Sequence, residues 1–457
     1  MTLAALDSAL LGPLFGTEAM RRCFSDEARL AAMLRAEAAL ARAEAGLGLA
    51  PEALAPAIEA VGAAGLDAAA LGHETALAGV PAIPFVKAVQ ARLDPALERA
   101  FHKGATTQDI LDTAMVLQAR DAFALLAADL DAVLAGLAML AVRYRDTPCA
   151  GRTYGQHAAP VTFGYKAAVW LAGVAEVAER LPGTRAELLS ASLFGPVGTL
   201  AGLGSKGPAV LDAFAKELGL AVPPIAWHSL RARVADAGAW LALLLGALAK
   251  LATDVANLAS TEVGEVSEPA MPGRGGSSAM PHKRNPVSCT VILAAFTAAK
   301  GNAATLLDAM AAAHERPAGL WHAEWHALPI LFGLASGALR EARALAEGLE
   351  VDPARMLDNI GITRGLLFAD AAAARLGATL GREAAHEVVE RAAGEVRRTG
   401  ETLQAVLART PGAQGTDLAP AFGLSPAVAA AGPWVDRAVR YGNVVRKSLE
   451  GNGNAQG

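Results

Sequence analysis

Residues 275–286 read "GGSSAMPHKRNP". Glycines, serines, a methionine, a histidine, a lysine, an arginine and an asparagine follow one another there with no amphipathic period. Pro281 and Pro286 forbid a continuous helix through them. The surrounding chain is different. Apolar residues make up 53% of it and aromatic ones 5%. Alanine and leucine dominate, and both are strong helix formers. β-Branched and aromatic residues are too few for a chain built mainly of sheets. Long apolar helical patterns run over 109–145, 161–181, 232–261, 287–314 and 325–350, well above the mean helix of about 11–12 residues. Helices this long, this apolar and this thin in side chain predict a bundle whose outer faces are also covered, by further copies of the chain. One large monomeric bundle is the alternative.

Composition excludes several roles. A net charge of −5 over 457 residues argues against an electrostatic nucleic-acid binder. Cys23, Cys149 and Cys289 lack metal-type spacing, and so sparse and odd a count suits a reducing cytoplasm. "MTLAALDSALLG" has no basic segment before its apolar residues and reads poorly as a signal peptide. The most apolar run, "AGAWLALLLGALA" between Asp236 and Lys250, falls short of the about 20 residues a bilayer requires and reads as a buried bundle helix. No membrane partner is expected.

Around the 275–286 loop the expected architecture is all-α and in three parts. These are an N-terminal helical part over 1–104, a central long-helix bundle over 105–358 with a mobile loop at 270–286, and a small C-terminal helical part over 359–457. The first clear helix starts after Ser25, with Ser25 as its cap and Asp26 and Glu27 on the positive end of its dipole. Gly46, Gly48 and Pro51 end it. The last part reads as helices near 364–376, 382–399 and 400–408, then a Gly/Pro-rich stretch and a disordered tail "LEGNGNAQG".

Four segments carry more chemistry than packing needs. In "FHKGATTQDILDTA" (101–114), His102, Thr106, Thr107, Gln108 and Asp109 crowd before an apolar helix. This is either an ordinary capped N-terminus or an anion site of hydroxyls and free N–H groups. In "GRTYGQHAAPVTFG" (151–164), Arg152, Thr153, Tyr154, Gln156 and His157 form a polar turn. A lone histidine there would be structural, but one beside Tyr, Gln, Thr and Arg is a candidate for proton chemistry. In the 275–286 loop, consecutive glycines free the backbone to form an anion nest. Lys283 adds a mobile charge and Asn285 an amide donor, as in a flap over an anionic substrate; a surface connection is the plain alternative. In "HERPAGLWHAEWHALP" (314–329), His322 and His326 sit four apart as metal ligands would. The zinc-protease pattern is missing, however, and a polar pocket wall fits better than metal or mere tryptophan packing.

Gly276, Ser277, Ser278, Met280, Pro281, Lys283 and Asn285 match the Gly-Ser-Ser-x-Met-Pro-x-Lys-x-Asn signature of the fumarase/aspartase superfamily, which the chain resembles over nearly its whole length. "GATTQDILDT" and "GRTYGQHAAPVTFG" are similar to that superfamily's other two active-site regions. The resemblance implies a homotetramer around a core of about 20 helices, with active sites shared between subunits. It implies proton transfer at a carbon beside a carboxylate, through an aci-carboxylate whose charge needs donors placed in advance. It assigns Ser277 as the base, made competent by the loop's N–H groups and Lys283. Lys283 and Asn285 then hold the intermediate, Thr106, Thr107 and Gln108 hold the remaining carboxylates, and no metal or organic cofactor is required.

Two departures narrow the resemblance. Fumarases and adenylosuccinate lyases typically carry His where this chain has Tyr154, and Glu where it has Thr290. "GRTYGQHA" and "WHAEWHALP" instead resemble the superfamily's bacterial 3-carboxy-cis,cis-muconate cycloisomerases, which act in protocatechuate breakdown by the β-ketoadipate route. That likeness implies a small polycarboxylate substrate and intramolecular lactone closure. Ser277, His157 and Lys283 would be catalytic. His102, Thr106, Thr107, Gln108, Arg152, Tyr154, Ser278, Met280, Asn285 and His322 would bind substrate. Adenylosuccinate lyase is the alternative reading.

Overall fold

The computed structural model describes residues 3–276, 280 and 283–451; Ser277, Ser278, Ala279, Pro281 and His282 lie outside the described residues, as does the tail from 452 on. Helix α1 is Asp26–Gly46. Its Ser25 cap is as expected, the Oγ accepting from the Ala28 N–H at 3.1 Å. The bundle follows: α2 is Thr107–Arg143, α3 Phe163–Ala178, α4 Ala232–Leu258, α5 Val287–Asp308 and α6 Leu320–Gly348. α5 packs between α4 and α6, α2 lies along α6, and α3 closes against α2 and α4. Small residues permit this closeness: a Cβ on Gly136 of α2 would come within 2.8 Å of the Ala346 Cβ of α6.

By length and composition alone, α2, α4 and α5 could each cross a membrane. The apolar run read as too short is the middle of α4, which has 27 residues. Here the three pack in one bundle, and α2 buries Gln108, Asp109, Asp112, Thr113 and Gln118 among its apolar residues.

Three expectations need correction. The segment "GRTYGQHAAPVT" is not a loop before a helix but part of a β-hairpin. Strand β1 (Pro148–Thr153) pairs antiparallel with β2 (Gln156–Thr162). Tyr154 and Gly155 turn it with φ of +52° and +75°, the left-handed pair that a two-residue hairpin turn of matching twist requires. Second, the boundary at 104 separates no cores, because one hydrophobic core runs from Met20 to Leu449. Third, the segment after 359 is not one unit. Helices α7 (Ala369–Leu380), α8 (Arg382–Thr399) and α9 (Leu403–Arg409) share a small core of their own around Leu376, Val388 and Leu407. The stretch read as Gly/Pro-rich is mostly a 27-residue helix, α10 (Ser425–Gly451). It returns to pack on α2 and α3, where Arg145 clasps Asp436 and Arg446 clasps Asp131.

Candidate active site

The first cluster forms where the chain enters α2. The Asp109 carboxylate organises it. Oδ1 accepts from the Phe194 N–H at 2.8 Å and lies 2.7 Å from His228 Nε2, while Oδ2 accepts from the Thr106 and Gly195 N–H groups at 2.9 Å. A buried carboxylate demands such partners, and supplying them pins Thr106 at the helix N-terminus. Arg316 then reaches in: Nη2 donates to Thr106 Oγ1 at 2.6 Å and to the Pro196 carbonyl at 3.3 Å, and Nη1 to Thr107 Oγ1 at 3.5 Å. All three acceptors are neutral. Arg316 has no carboxylate partner among the described residues, and its Nε is buried without one. A guanidinium over two threonines at the N-terminus of a 37-residue helix has the positive charge and donors that a carboxylate requires.

Beneath lies a fully buried ion network. Arg231 donates to Asp112 through Nη1 and Nη2 at 2.8 and 3.1 Å, and to Glu324 through Nε and Nη2 at 2.8 and 2.5 Å. Trp321 Nε1 donates to Asp112 at 3.0 Å. Burial raises the Glu324 carboxyl above its ordinary value, Arg231 opposes that, and Asp112 adds to it. The network ties the start of α6, with His322, to the start of α2. Gln108, expected on substrate, belongs to this interior: it is fully buried, and its Nε2 donates to Asp112 at 3.2 Å and to the His228 carbonyl at 2.9 Å. His322 sits with its ring centroid 4.5 Å from that of Trp325 and its Nδ1 buried without a partner. His326 is exposed, and no metal-type cluster occurs among the described residues.

The second cluster is the hairpin. Arg152, also expected on substrate, grips the buried Glu265 with both Nη atoms, at 3.1 and 2.5 Å. Asn359 Nδ2 donates to the same carboxylate at 2.8 Å. Arg152 therefore holds the hairpin to the bundle. His157 on β2 is half-buried, with Nδ1 unpartnered. Burial first, and then the nearby Arg152, lower its basicity against the pull of Glu265. Tyr154 stands fully exposed at the tip.

The third cluster is the signature loop. Its two ends join like a clasp: the Asn285 N–H donates to the Gly275 carbonyl at 2.8 Å, and Gly276 bridges Arg284. Gly275 has φ +69°, and a Cβ there would meet the Asn285 carbonyl at 2.7 Å, so the clasp requires glycine. Glu268 caps α5, accepting from the Ser288 and Cys289 N–H groups at 2.9 Å. Arg274 pairs with Glu341, and Arg284 with Glu350 at 2.8 Å. Met280, Lys283 and Asn285 are exposed. Ser277 and Ser278 lie outside the described residues.

One chain does not bring these clusters together. Trp321 belongs to the first and Glu341 to the third, and the stretch of α6 between them rises roughly 30 Å. The hairpin and the signature loop share one end of the bundle, while Thr106, Thr107 and Arg316 occupy the other. Sequence reasoning missed Arg316, although it quoted the segment that holds it. It also missed Arg231 and His228, for which no motif stands out.

A family model described as "Lyase" matches residues 15–301. The chain is 46% identical to a 3-carboxy-cis,cis-muconate cycloisomerase of Pseudomonas aeruginosa over 85% of each chain. It is 44% identical to a nitrosuccinate lyase of Streptomyces davaonensis over 89% of this chain and 88% of that one. Its fold matches the crystal structure of the 3-carboxy-cis,cis-muconate lactonizing enzyme from Pseudomonas putida with a TM-score of 0.91 at 43% identity, covering 96% of this chain and 100% of that one. With its signature at 276–285 and likeness of this extent, the chain belongs to the lyase family of the fumarase/aspartase superfamily.

Proposed function

We propose that the chain is a cycloisomerase that converts 3-carboxy-cis,cis-muconate to 4-carboxymuconolactone. The observation that carries this is Arg316, held over Thr106 and Thr107 on neutral oxygens only, a seat for one carboxylate of a polycarboxylate substrate. The cycloisomerase relatives, alike in sequence and fold, support the choice of substrate. One substrate carboxylate oxygen forms the C–O bond. The electron pair of the double bond moves to the neighbouring carbon and onto its carboxylate, and Ser277 Oγ delivers a proton to that carbon before recovering one from water. Lys283 and Asn285 meet the developing charge. His157, whose lowered basicity leaves it neutral near neutral pH, and Tyr154 orient the attacking carboxylate. The enclosing site brings oxygen and carbon to about 3–3.5 Å.

The site is shared in a homotetramer. The separation of the clusters along α6 supports this, and so do the exposed apolar residues Met139, Val142, Leu243 and Leu307 on bundle helices. A second reading, cleavage of nitrosuccinate, is favoured by the 44% identity to that lyase. The test incubates the protein separately with 3-carboxy-cis,cis-muconate, nitrosuccinate and adenylosuccinate. Loss of the diene's ultraviolet absorbance with the first alone is expected. Ser277→Ala should cut that rate by orders of magnitude with assembly intact. Turnover of only one of the other two would overturn the proposal, and an unchanged rate in Ser277→Ala would remove Ser277 from the mechanism.

A further inference from the structure

The turn that leads into α2 holds a histidine in a demanding conformation. His102 has φ +57°, a left-handed region that strains a non-glycine residue and persists only where its surroundings hold it. What holds it is Glu37 of α1. His102 Nδ1 and Glu37 Oε1 are 2.6 Å apart, and the glutamate side chain is completely buried. The other oxygen, Oε2, is buried with no partner among the described residues. This carboxylate therefore depends on the imidazole for its neutralisation. His102 Nε2 has no hydrogen-bond partner among the described residues, and Thr106 follows four residues later.

We propose that Glu37 is a positioning residue of the candidate site, anchoring His102 through Nδ1 so that Nε2–H is presented to a carboxylate of the substrate. This rests on the reading that the start of α2 receives substrate carboxylates. The charged groups around His102 are Glu37 and Glu44 from α1, Asp109 from α2 and Lys103 beside it, with Arg316 on Thr106. Burial disfavours the imidazolium. The charge and hydrogen bond of Glu37, then Asp109 and Glu44, outweigh burial and hold the imidazole above its ordinary value. Glu44 is itself pushed up to about 7, by burial first. The cation therefore persists into neutral pH and is lost as the pH rises through the raised value. Without the Glu37 charge that loss comes at lower pH.

The test compares the wild-type chain with Glu37→Gln and Glu44→Gln, all as the assembled protein. It measures calorimetric binding of tricarballylate, a plain tricarboxylate, and kcat/KM for 3-carboxy-cis,cis-muconate against pH. In Glu37→Gln the alkaline loss of both should move down by about one pH unit, the lower end of what a lost neighbouring charge produces. That is about a fivefold deficit at the wild-type midpoint, tending to about tenfold at higher pH, with the two proteins converging at acid pH. Glu44→Gln, which keeps the hydrogen bond, should move less, and Glu37→Asp should recover part of the shift. Lower melting temperature with an unchanged pH profile would reduce Glu37 to a packing role and overturn the proposal. So would an equal shift in Glu44→Gln. Should Glu37→Gln fail to assemble, wild-type affinity for tricarballylate that stays constant from about pH 6 to about pH 9 would overturn it as well. The binding arm does not depend on which reaction the chain catalyses, so a failed turnover assay with muconate leaves this test standing.

Discussion

Replacing Arg231 by methionine should destabilise the protein strongly, and in a pH-dependent way. The guanidinium is fully buried and joins two carboxylates that are themselves nearly inaccessible. Removing one partner of a buried ion pair typically costs about 3–5 kcal/mol, because the other charge stays buried and uncompensated. Two carboxylates are left behind here, but unequally. Asp112 keeps donors in Gln108 Nε2 and Trp321 Nε1. Glu324 loses both of its hydrogen bonds among the described residues. Burial already raises the Glu324 carboxyl with Arg231 present, and without Arg231 it rises further. A carboxyl whose folded value lies above its unfolded one binds more protons in the folded state. The variant's deficit is then smallest in acid and grows as the pH rises towards the folded value, by at most about 1.4 kcal/mol per pH unit. Urea unfolding followed by tryptophan fluorescence reads this locally, since Trp227 lies 4.8 Å under Arg231 and Trp321 touches Asp112. The combined variant Arg231→Met, Asp112→Asn, Glu324→Gln should regain most of the loss. A deficit below about 1 kcal/mol, or one that does not change with pH, would refute the reasoning. A combined variant as unstable as the single one would do the same.

Two further perturbations separate loop geometry from assembly. Gly275→Ala puts a Cβ 2.7 Å from the Asn285 carbonyl at a φ that alanine avoids, so it should open the clasp under the signature loop and depress turnover at least tenfold, while the melting temperature stays within a few degrees; wild-type turnover would show that the clasp is not needed. Ser277→Ala and Arg316→Gln, each nearly inactive alone, should regain a fraction of wild-type activity when unfolded together and reassembled, because some sites in the mixture then draw both segments from unaltered chains; no recovery in a mixture that forms hybrid oligomers would refute the shared site.

How much of this was legible in the sequence follows from periodicity. α2, α4, α5 and α6 run for 22 to 37 residues, and over such lengths the 3.6-residue repeat accumulates beyond ambiguity. The hairpin was lost because its strands are short and carry Gly151, Pro148 and Pro160, which argue against a strand when seen alone. α10 was lost for a related reason: Gly432 and Pro433 interrupt its pattern, and its stability comes from packing on α2 and α3, which the sequence does not display. The site was legible in part. Thr106 and Thr107 stand out in the sequence because hydroxyls before an apolar helix are a local signal, and the helix does start there. Gln108 and Arg152 were placed on substrate because their chemistry suits it, yet the fold turns Gln108 inward to Asp112 and binds Arg152 to Glu265. Whether a polar side chain faces a ligand or another buried charge depends on partners distant in the chain: His228 stands 119 residues from Asp109, and Arg231 stands 93 from Glu324.

The same bundle that makes the fold legible also holds the clusters of one chain apart. A long helix delivers groups at its two ends, and α6 does so with Trp321 and Glu324 at one end and Glu341 at the other. No bend in the helix can fold those ends together, because its buried face is locked against α2, α4 and α5. Groups so separated can meet on one substrate only if a second copy brings its opposite end alongside. The apolar residues left exposed on the flanks, Val142 and Leu307 among them, supply a reason for copies to associate. The clusters themselves are rigid before any such meeting. Asp109 fixes Thr106, Glu265 fixes the hairpin through Arg152, and Glu268 fixes the start of α5. Each of these carboxylates is held by donors within its own chain, so in the proposed shared site each half is organised in advance and association needs only to bring the halves into register. On the proposed reading, charge that develops on a substrate carboxylate meets donors already oriented, which is what stabilising an aci-carboxylate demands.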